Sequence, residues 1–150
     1  MVMEKKLNKT FLGTGWSFPP SFDLFTNSLE MVSEEEDIRQ SLFLLLSTTP
    51  GERLMKPKYG CDLHSAVFDN INNTTRHHLI DLVTVAVIRF EPRITLQEVK
   101  IGLERKDDGI IDIDLYYTVR KTNIRSNIVF PFYYKEGTNL RDTQLKEIGI

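Results

Sequence analysis

This chain of 150 residues has almost no cysteine and no excess of charge of either sign. Its single cysteine, Cys61, excludes an internal disulfide framework and fits a reducing compartment. The 19 basic and 21 acidic residues leave a net charge of −2 at pH 7. Such a balance does not point to a surface that binds nucleic acid, so we predict no nucleic-acid partner, although the net charge leaves room for a local basic patch.

Long apolar runs are also missing. The longest, 42–46, is far too short to span a bilayer, so we predict no membrane insertion. Lysines near the N-terminus are not followed by an apolar stretch, which argues against a secretory signal. We therefore expect assembly in the cytoplasm, although a cytoplasmic protein can leave the cell inside a larger particle. Hydrophobic residues make up 41% of the chain and charged residues 27%, an ordinary balance for one globular domain.

Two long helices are predicted in the first two thirds of the chain. Ser33 and Glu36 have the spacing of a capping box, and apolar residues then recur with a helical period. The second helix begins near Asn73 and keeps an apolar face until Pro92 stops it. A short helical turn is predicted at 63–68.

After Pro92 the apolar period changes to two, which indicates strands. The alternating runs cover 99–103, 111–119 and 128–134. Asp108 and Gly109 form a hairpin signal between the first two, and Pro131 favours an edge position for the third. The predicted fold is α+β, with two main helices packed on an antiparallel three-stranded β-meander. The edges of such a sheet offer unpaired backbone groups to which a partner can add a strand.

The first 32 residues differ from the rest, so we divide the chain into an N-terminal arm (1–32), a domain (33–138) and a C-terminal tail (139–150). The arm carries five aromatic residues among glycines and the paired prolines Pro19 and Pro20, which forbid a regular helix. These aromatic side chains need burial. Trp16 and Phe18 pack either on the chain's own domain or on a neighbouring chain.

No constellation of residues points to chemistry. Cys61 and His64 have a C-x-x-H spacing, but His77 and His78 point about 100° apart on a helix and do not complete a tetrahedral site. With 21 acidic residues, nothing in their spacing selects a catalytic carboxylate pair. We therefore predict no metal, no cofactor and no catalytic residue.

Two charged corners are more informative. Glu91, Pro92 and Arg93 lie where the second helix meets the sheet, and Glu52 and Arg53 follow the end of the first helix. Each corner is either an internal helix stop or a charged clamp on a partner, and arginine can bind a carboxylate through two hydrogen bonds. Internal pairing of Glu52 with Arg93, or of Glu91 with Arg53, is as reasonable as a bond to another chain.

Several of these segments, taken in order, resemble the small baseplate wedge family of contractile phage tails and phage-like injection systems. The type VI secretion member of that family is TssE. The resemblance runs from about residue 11 to 138. It is carried by EEDIRQSL at 35–42, TPGER at 49–53, KPKYG at 56–60 and FEPRI at 90–94, and by the arm segment FLGTGWSFPP at 11–20.

The resemblance implies a structural role. In this family the corner carried here by Glu91, Pro92 and Arg93 contacts the helical core of the wedge. Sheath extensions add strands to the sheet, which corresponds here to the segments 99–103 and 128–134. The expected partners are other baseplate wedge proteins and sheath subunits, with the central hub or inner tube as a further candidate, in six copies per particle. On this interpretation Glu91→Ala or Arg93→Ala leaves the chain folded and blocks docking.

Some members of the family have carried a lysozyme label, so a peptidoglycan-cleaving baseplate enzyme is the alternative function. No residue of this sequence supports it.

Overall fold

Helices cover one face of a three-stranded sheet in the computed structural model, which describes residues 14–23, 28–29, 31–67 and 71–134. The helices are α1 (Glu34–Ser47), α2 (Leu63–Val67) and α3 (Asn73–Phe90). Both predicted long helices and the predicted short turn are therefore confirmed. The side chain of Ser33 lies outside the described residues, so its capping box stays a prediction.

Local signals set the start of α3. Asn72 is its N-cap, and the Oδ1 of Asn72 accepts a 2.9 Å hydrogen bond from the Thr75 N–H. At the other end, the N–H of Glu91 donates to the Val87 carbonyl, and Pro92 prevents the helix from continuing.

The sheet is antiparallel, with the strand order β5–β6–β7. Its strands are β5 (Ile94–Gly102), β6 (Ile110–Val119) and β7 (Arg125–Tyr133). Pro131 lies on the outer strand β7, as predicted. The connection at Asp108 and Gly109 is longer than a two-residue hairpin: it contains a 3₁₀ turn, Lys106–Asp108, and ends at Gly109 with φ of 82°.

The core lies between the helices and the inner face of this sheet. α3 packs against β5 and α1 against β7. The largest fully buried side chains come from the helices and the central strand β6, and include Ile38, Leu42, Leu79, Val83, Ile113, Leu115 and Tyr117. The arrangement confirms the predicted α+β class.

The described part of the N-terminal segment contains short strands that we did not predict. β1 (Thr14–Trp16) pairs with β4 (Met31–Ser33), and β2 (Phe22–Asp23) pairs with β3 (Ser28–Leu29), both antiparallel. The first 13 residues and the tail at 139–150 lie outside the described residues, and the predicted division into arm, domain and tail stays a prediction. None of the described helices is long and apolar enough to cross a membrane.

Candidate partner-binding surfaces

The junction between α3 and β5 is built around one ion pair. Arg93 folds back onto Glu91, so that its Nε lies 2.7 Å from Oε1 and its Nη2 lies 2.7 Å from Oε2. This two-pronged geometry is the strongest hydrogen-bonding arrangement of a guanidinium with a carboxylate. Because Pro92 lies between them, the pair fixes the direction in which the chain leaves the helix.

A second carboxylate joins this junction to the N-terminal half of the chain. Nη1 of Arg93 lies 2.5 Å from Oδ2 of Asp37, in the first turn of α1. A Cβ atom placed on Gly15 would lie 2.4 Å from Oδ1 of Asp37, so β1 approaches the same carboxylate closely. Asp37 thus links β1, the start of α1 and the α3–β5 corner.

The side chains of Asp37, Glu91 and Arg93 are partly buried. The side chain of Glu91 is 3% exposed, that of Asp37 18% and that of Arg93 28%. Burial raises the pKa of Glu91, but hydrogen bonds from Arg93 and Ser41 and the charge of Arg93 outweigh burial and leave this pKa below its usual value. The hydrogen bond to Glu91 is also the main reason why the pKa of Arg93 is raised above its usual value. Both groups stay charged across the physiological range.

The structure therefore resolves the alternatives for the α3–β5 corner in part. Glu91 and Arg93 pair with each other inside the chain, rather than with Arg53 or Glu52 as considered above. Pro92 between them is exposed. A partner contact made by Glu91, Pro92 or Arg93 stays a prediction.

Glu52 and Arg53 stabilise the loop that follows α1. Oε2 of Glu52 accepts a 3.0 Å hydrogen bond from the Thr49 N–H. The Arg53 guanidinium lies 4.2 Å from the centre of the Tyr59 ring, a cation–π distance. The Tyr59 ring in turn lies 5.2 Å from the Phe90 ring at the end of α3. The role of Glu52 and Arg53 in binding a partner stays a prediction.

The two arm residues predicted to bind a partner lie in different environments. Phe18 packs on the domain: its ring centre is 6.2 Å from that of Phe43, and its N–H donates to Oε1 of Gln40 at 2.9 Å. Trp16 is 72% exposed. The interpretation that Phe18 packs on its own domain fits this geometry, while Trp16, like Phe22 in the same segment, is exposed.

The outer edge of β7 carries unpaired backbone groups. The N–H of Val119 donates to the Ile124 carbonyl and the N–H of Tyr134 donates to the Gly109 carbonyl, so even-numbered positions of β7 face β6. Backbone direction alternates along a strand. The N–H and C=O groups of Arg125, Asn127 and Val129 therefore point away from β6, as does the nitrogen of Pro131, which has no proton to donate.

On the opposite edge, β5 is the outer strand, and a bulge lies between Leu96 and Glu98. Val99 pairs with Leu115, whose other partner Ile128 is an even-numbered position of β7. Leu115 thus turns its backbone groups toward β7, and Val99 turns its own away from the sheet. Among the described strands, both edges are open to strand addition.

Cys61 and His64, which have a C-x-x-H spacing, lie in different surroundings. The described residues contain no group of three or more histidines, cysteines or acids that could hold a metal ion. Cys61 is buried, and burial together with the charge of Asp62 raises the pKa of its thiol to about 12. His64 is exposed and its ring packs edge-on against Phe132.

Charged side chains line an open cavity of about 390 Å³ on the outer face of the sheet. There Asp112 accepts two hydrogen bonds from Arg105, from Nη2 at 2.5 Å and from Nε at 3.0 Å. Burial raises the pKa of the nearby Asp114, the charges of Asp112 and Glu104 raise it further, and Lys100 lowers it.

Sequence reasoning missed Asp37, Ser41 and Tyr59 as members of these surfaces. Asp37 appeared only within the segment EEDIRQSL, with no role of its own. It lies 56 residues from Arg93 in the chain, and no local pattern indicates such a contact. The segments 35–42 and 56–60, which carry the family resemblance, do contain all three residues.

Comparison with known proteins gives a family match. The family model described as baseplate wedge protein gp25 matches residues 32–124. Among curated proteins, the baseplate wedge protein gp25 of Enterobacteria phage T4 is 29% identical over 82 residues, which cover 55% of this chain. The match spans 61% of the length of the phage protein.

Solved structures share the fold. A crystal structure from Geobacter sulfurreducens, provisionally named a tail lysozyme, is 42% identical with a TM-score of 0.68, and the match covers 74% of this chain and all of that one. A chain in the postcontracted baseplate of pyocin R2 is 26% identical with a TM-score of 0.53. That match covers 67% of this chain and 97% of the pyocin chain.

Proposed function

Because the chain belongs to the baseplate wedge protein gp25 family, we propose that it is a structural subunit that joins the wedge of a contractile-tail baseplate to the first ring of the sheath. Its sheet would act as a template to which sheath subunits add strands. The other wedge proteins and the sheath subunits would be its direct partners, with the hub or inner tube as a further neighbour. Six copies would surround the tail.

The observation that carries this proposal is the pair of open sheet edges. An added strand bonds to backbone groups, which gives affinity, while alternate side chains set its register. Arg125, Asn127 and Val129 present such groups on β7, and Val99 does so on β5. Six weak contacts arranged in a ring act together, so each one can be modest.

Proline substitution at the outward-facing positions tests strand addition. Val129→Pro and Val99→Pro each remove one donor that points away from β6, while the hydrogen bonds to β6 are retained. We expect at least one of these variants to fold and enter baseplates but to stop the growth of the sheath, as seen by electron microscopy of particles from complemented cells.

Matched controls are Val129→Thr and Val99→Thr, which keep the N–H and a β-branched side chain. Circular dichroism shows whether each variant is folded, and Asn127→Pro replaces Val129→Pro if the latter unfolds. Sheathed particles in normal number from folded proline variants of both edges would contradict templating by strand addition.

We propose that the wedge side of the subunit includes the α3–β5 corner and the arm. Glu91 and Arg93 hold the backbone of the corner. The exposed Pro92 of the corner and the exposed Trp16 of the arm would contact the other wedge proteins. A large exposed aromatic ring is a common anchor of protein interfaces. Trp16→Ala should therefore weaken incorporation into baseplates without lowering the melting temperature of the isolated chain.

A peptidoglycan-cleaving enzyme is the second candidate, and two observations favour it. One is the provisional name of the Geobacter relative. The other is Asp114, which has a raised pKa and lies in an open cavity that the carboxylate of Asp112 also lines. Asp112, however, is held by Arg105 in a fixed ion pair. We expect no release of soluble muropeptides from purified peptidoglycan. Release that Asp114→Asn abolishes would establish the enzyme instead.

A further inference from the structure

The loop between α1 and α2 carries an exposed apolar tip, formed by Leu54 and Met55. Leu54 is 97% exposed and Met55 is 94% exposed. They are the two central residues of a turn in which the Lys56 N–H donates to the Arg53 carbonyl at 3.3 Å. Central turn positions favour glycine, proline, asparagine and aspartate, so two large apolar side chains there call for a specific reason.

The loop holds this tip in place through a series of backbone hydrogen bonds. The Cys61 N–H donates to the Thr48 carbonyl at 2.9 Å and closes the base of the loop. The Gly51 N–H donates to the Pro57 carbonyl at 2.8 Å and ties its two sides together. Because the backbone of the loop is already ordered, the loop loses little conformational entropy when a partner binds the tip.

Cationic side chains surround the tip. Arg53, Lys56 and Lys58 are exposed, and the guanidinium of Arg53 lies over the Tyr59 ring. The loop has two acids: Glu52 has one carboxylate oxygen hydrogen-bonded to the Thr49 N–H at the base, and Asp62, beside α2, accepts from the Ser65 N–H. The tip therefore combines an apolar pair with local positive charge, whereas the whole chain carries a net charge of −2.

We propose that Leu54 and Met55 insert into an apolar pocket on another baseplate subunit, and that carboxylates at the rim of this pocket pair with Arg53, Lys56 and Lys58. This inference rests on the proposed function and adds a third contact surface to it. Complementary charge would speed docking and fix its orientation, and the apolar pair would supply affinity. A protein pocket fits better than a lipid surface, because two short side chains on a rigid turn insert too little apolar area to hold a membrane.

Incorporation into particles tests the tip. Leu54→Ser combined with Met55→Ser should lower the amount of this chain in purified particles at least about tenfold, since two apolar anchors are lost. Both side chains are almost fully exposed, so the melting temperature of the isolated variant should match that of the wild type. Ile124→Ser, an apolar-to-serine change at a side chain that is 46% exposed in the connection between β6 and β7, is the control and should incorporate normally.

Charge is tested separately. Lys56→Glu combined with Lys58→Glu should also reduce incorporation, and assembly of the wild type should weaken as salt is raised. A photo-crosslinking amino acid at position 54 should label another baseplate protein at a site that contains Asp or Glu. Labelling of a second copy of this chain would overturn the proposal. So would flotation of the wild type, but not of the serine variant, with phosphatidylglycerol vesicles.

The failure of this inference is distinguishable from failure of the proposed function. Normal incorporation of the serine variant, beside normal incorporation of the wild type, would overturn the tip contact alone. Absence of the wild-type chain from purified particles would overturn the function itself.

Discussion

At the scale of single residues, Asp37, Glu91 and Arg93 form a partly buried cluster of charges that joins α1 to the α3–β5 corner. Two carboxylates share one guanidinium that is itself only 28% exposed. Removing one member of such a group leaves the remaining charge partly buried and unpaired. This lowers stability more than replacing the whole group with apolar residues. The stability of the domain should therefore depend on this cluster.

Arg93→Ala should lower the free energy of unfolding by about 3 kcal/mol, because Glu91 and Asp37 lose their shared counter-charge. This differs from the expectation that the substitution leaves the fold intact and affects docking alone. Arg93→Lys keeps the charge but loses the two-pronged geometry, so it should lose about half as much. Urea denaturation measures both, and an Arg93→Ala variant as stable as the wild type would contradict the account.

The Glu91 carboxylate should also make stability depend on pH. The pKa of Glu91 is lower in the folded chain than in the unfolded chain. Ionised Glu91 therefore contributes fully to stability above its pKa in the unfolded chain, and this contribution is lost as pH falls through its pKa in the folded chain. Glu91→Gln should be less stable than the wild type at pH 7, by about 2 kcal/mol, and the difference should shrink toward pH 3.

The control for this measurement is Glu98→Gln. Glu98 lies 3.3 Å from Lys100, and its side chain is 57% exposed, so the change should cost at most about 0.5 kcal/mol at any pH. A difference between wild type and Glu91→Gln that stays constant from pH 7 to pH 3 would show that the charge of Glu91 is not the cause.

At the scale of elements, periodic patterns in the sequence were sufficient to predict the long helices and strands. The apolar faces of α1 and α3 and the alternation in β6 and β7 repeat over many residues, so local sequence predicts them well. Pro131 predicted an edge strand because a missing amide proton has a purely local consequence. The short strands β1–β4 were not predictable, since two or three residues show no period and depend on their partner strand.

The loop after α1 gives a test at this scale. Gly60 has φ of 124°, and a Cβ there would lie 2.3 Å from the Thr48 carbonyl oxygen. Gly51 has φ of 97° but nothing within 4 Å of such a Cβ. Gly51→Ala should lose about 1–2 kcal/mol from backbone strain alone, and Gly60→Ala should lose more because of the added clash.

Thermal denaturation of the two alanine variants compares strain with strain plus clash in one loop. Equal melting temperatures for Gly60→Ala and Gly51→Ala would mean that the loop relaxes away from α1, and the tip at Leu54 and Met55 would then not be rigidly held.

At the scale of the whole molecule, the surfaces proposed for binding lie on different elements. The corner at Pro92, the arm residue Trp16, the loop tip and the outer sheet edges have few properties in common beyond exposure. An assembly subunit with several neighbours needs such separate surfaces, because each contact can be modest when many act together. Sequence reasoning proposed the edges and the corner as contacts, which stay predictions, and it did not propose the exposed tip, since exposure in the folded chain is not readable from a turn of four residues.

The most direct test is a cryo-electron microscopy reconstruction of the particle at a resolution that traces the main chain around this subunit. The account predicts a strand from a sheath subunit beside β5 or β7, hydrogen-bonded to Val99 or to Arg125, Asn127 and Val129. A reconstruction in which both sheet edges face solvent, or in which sheath subunits contact this chain through side chains only, would contradict it.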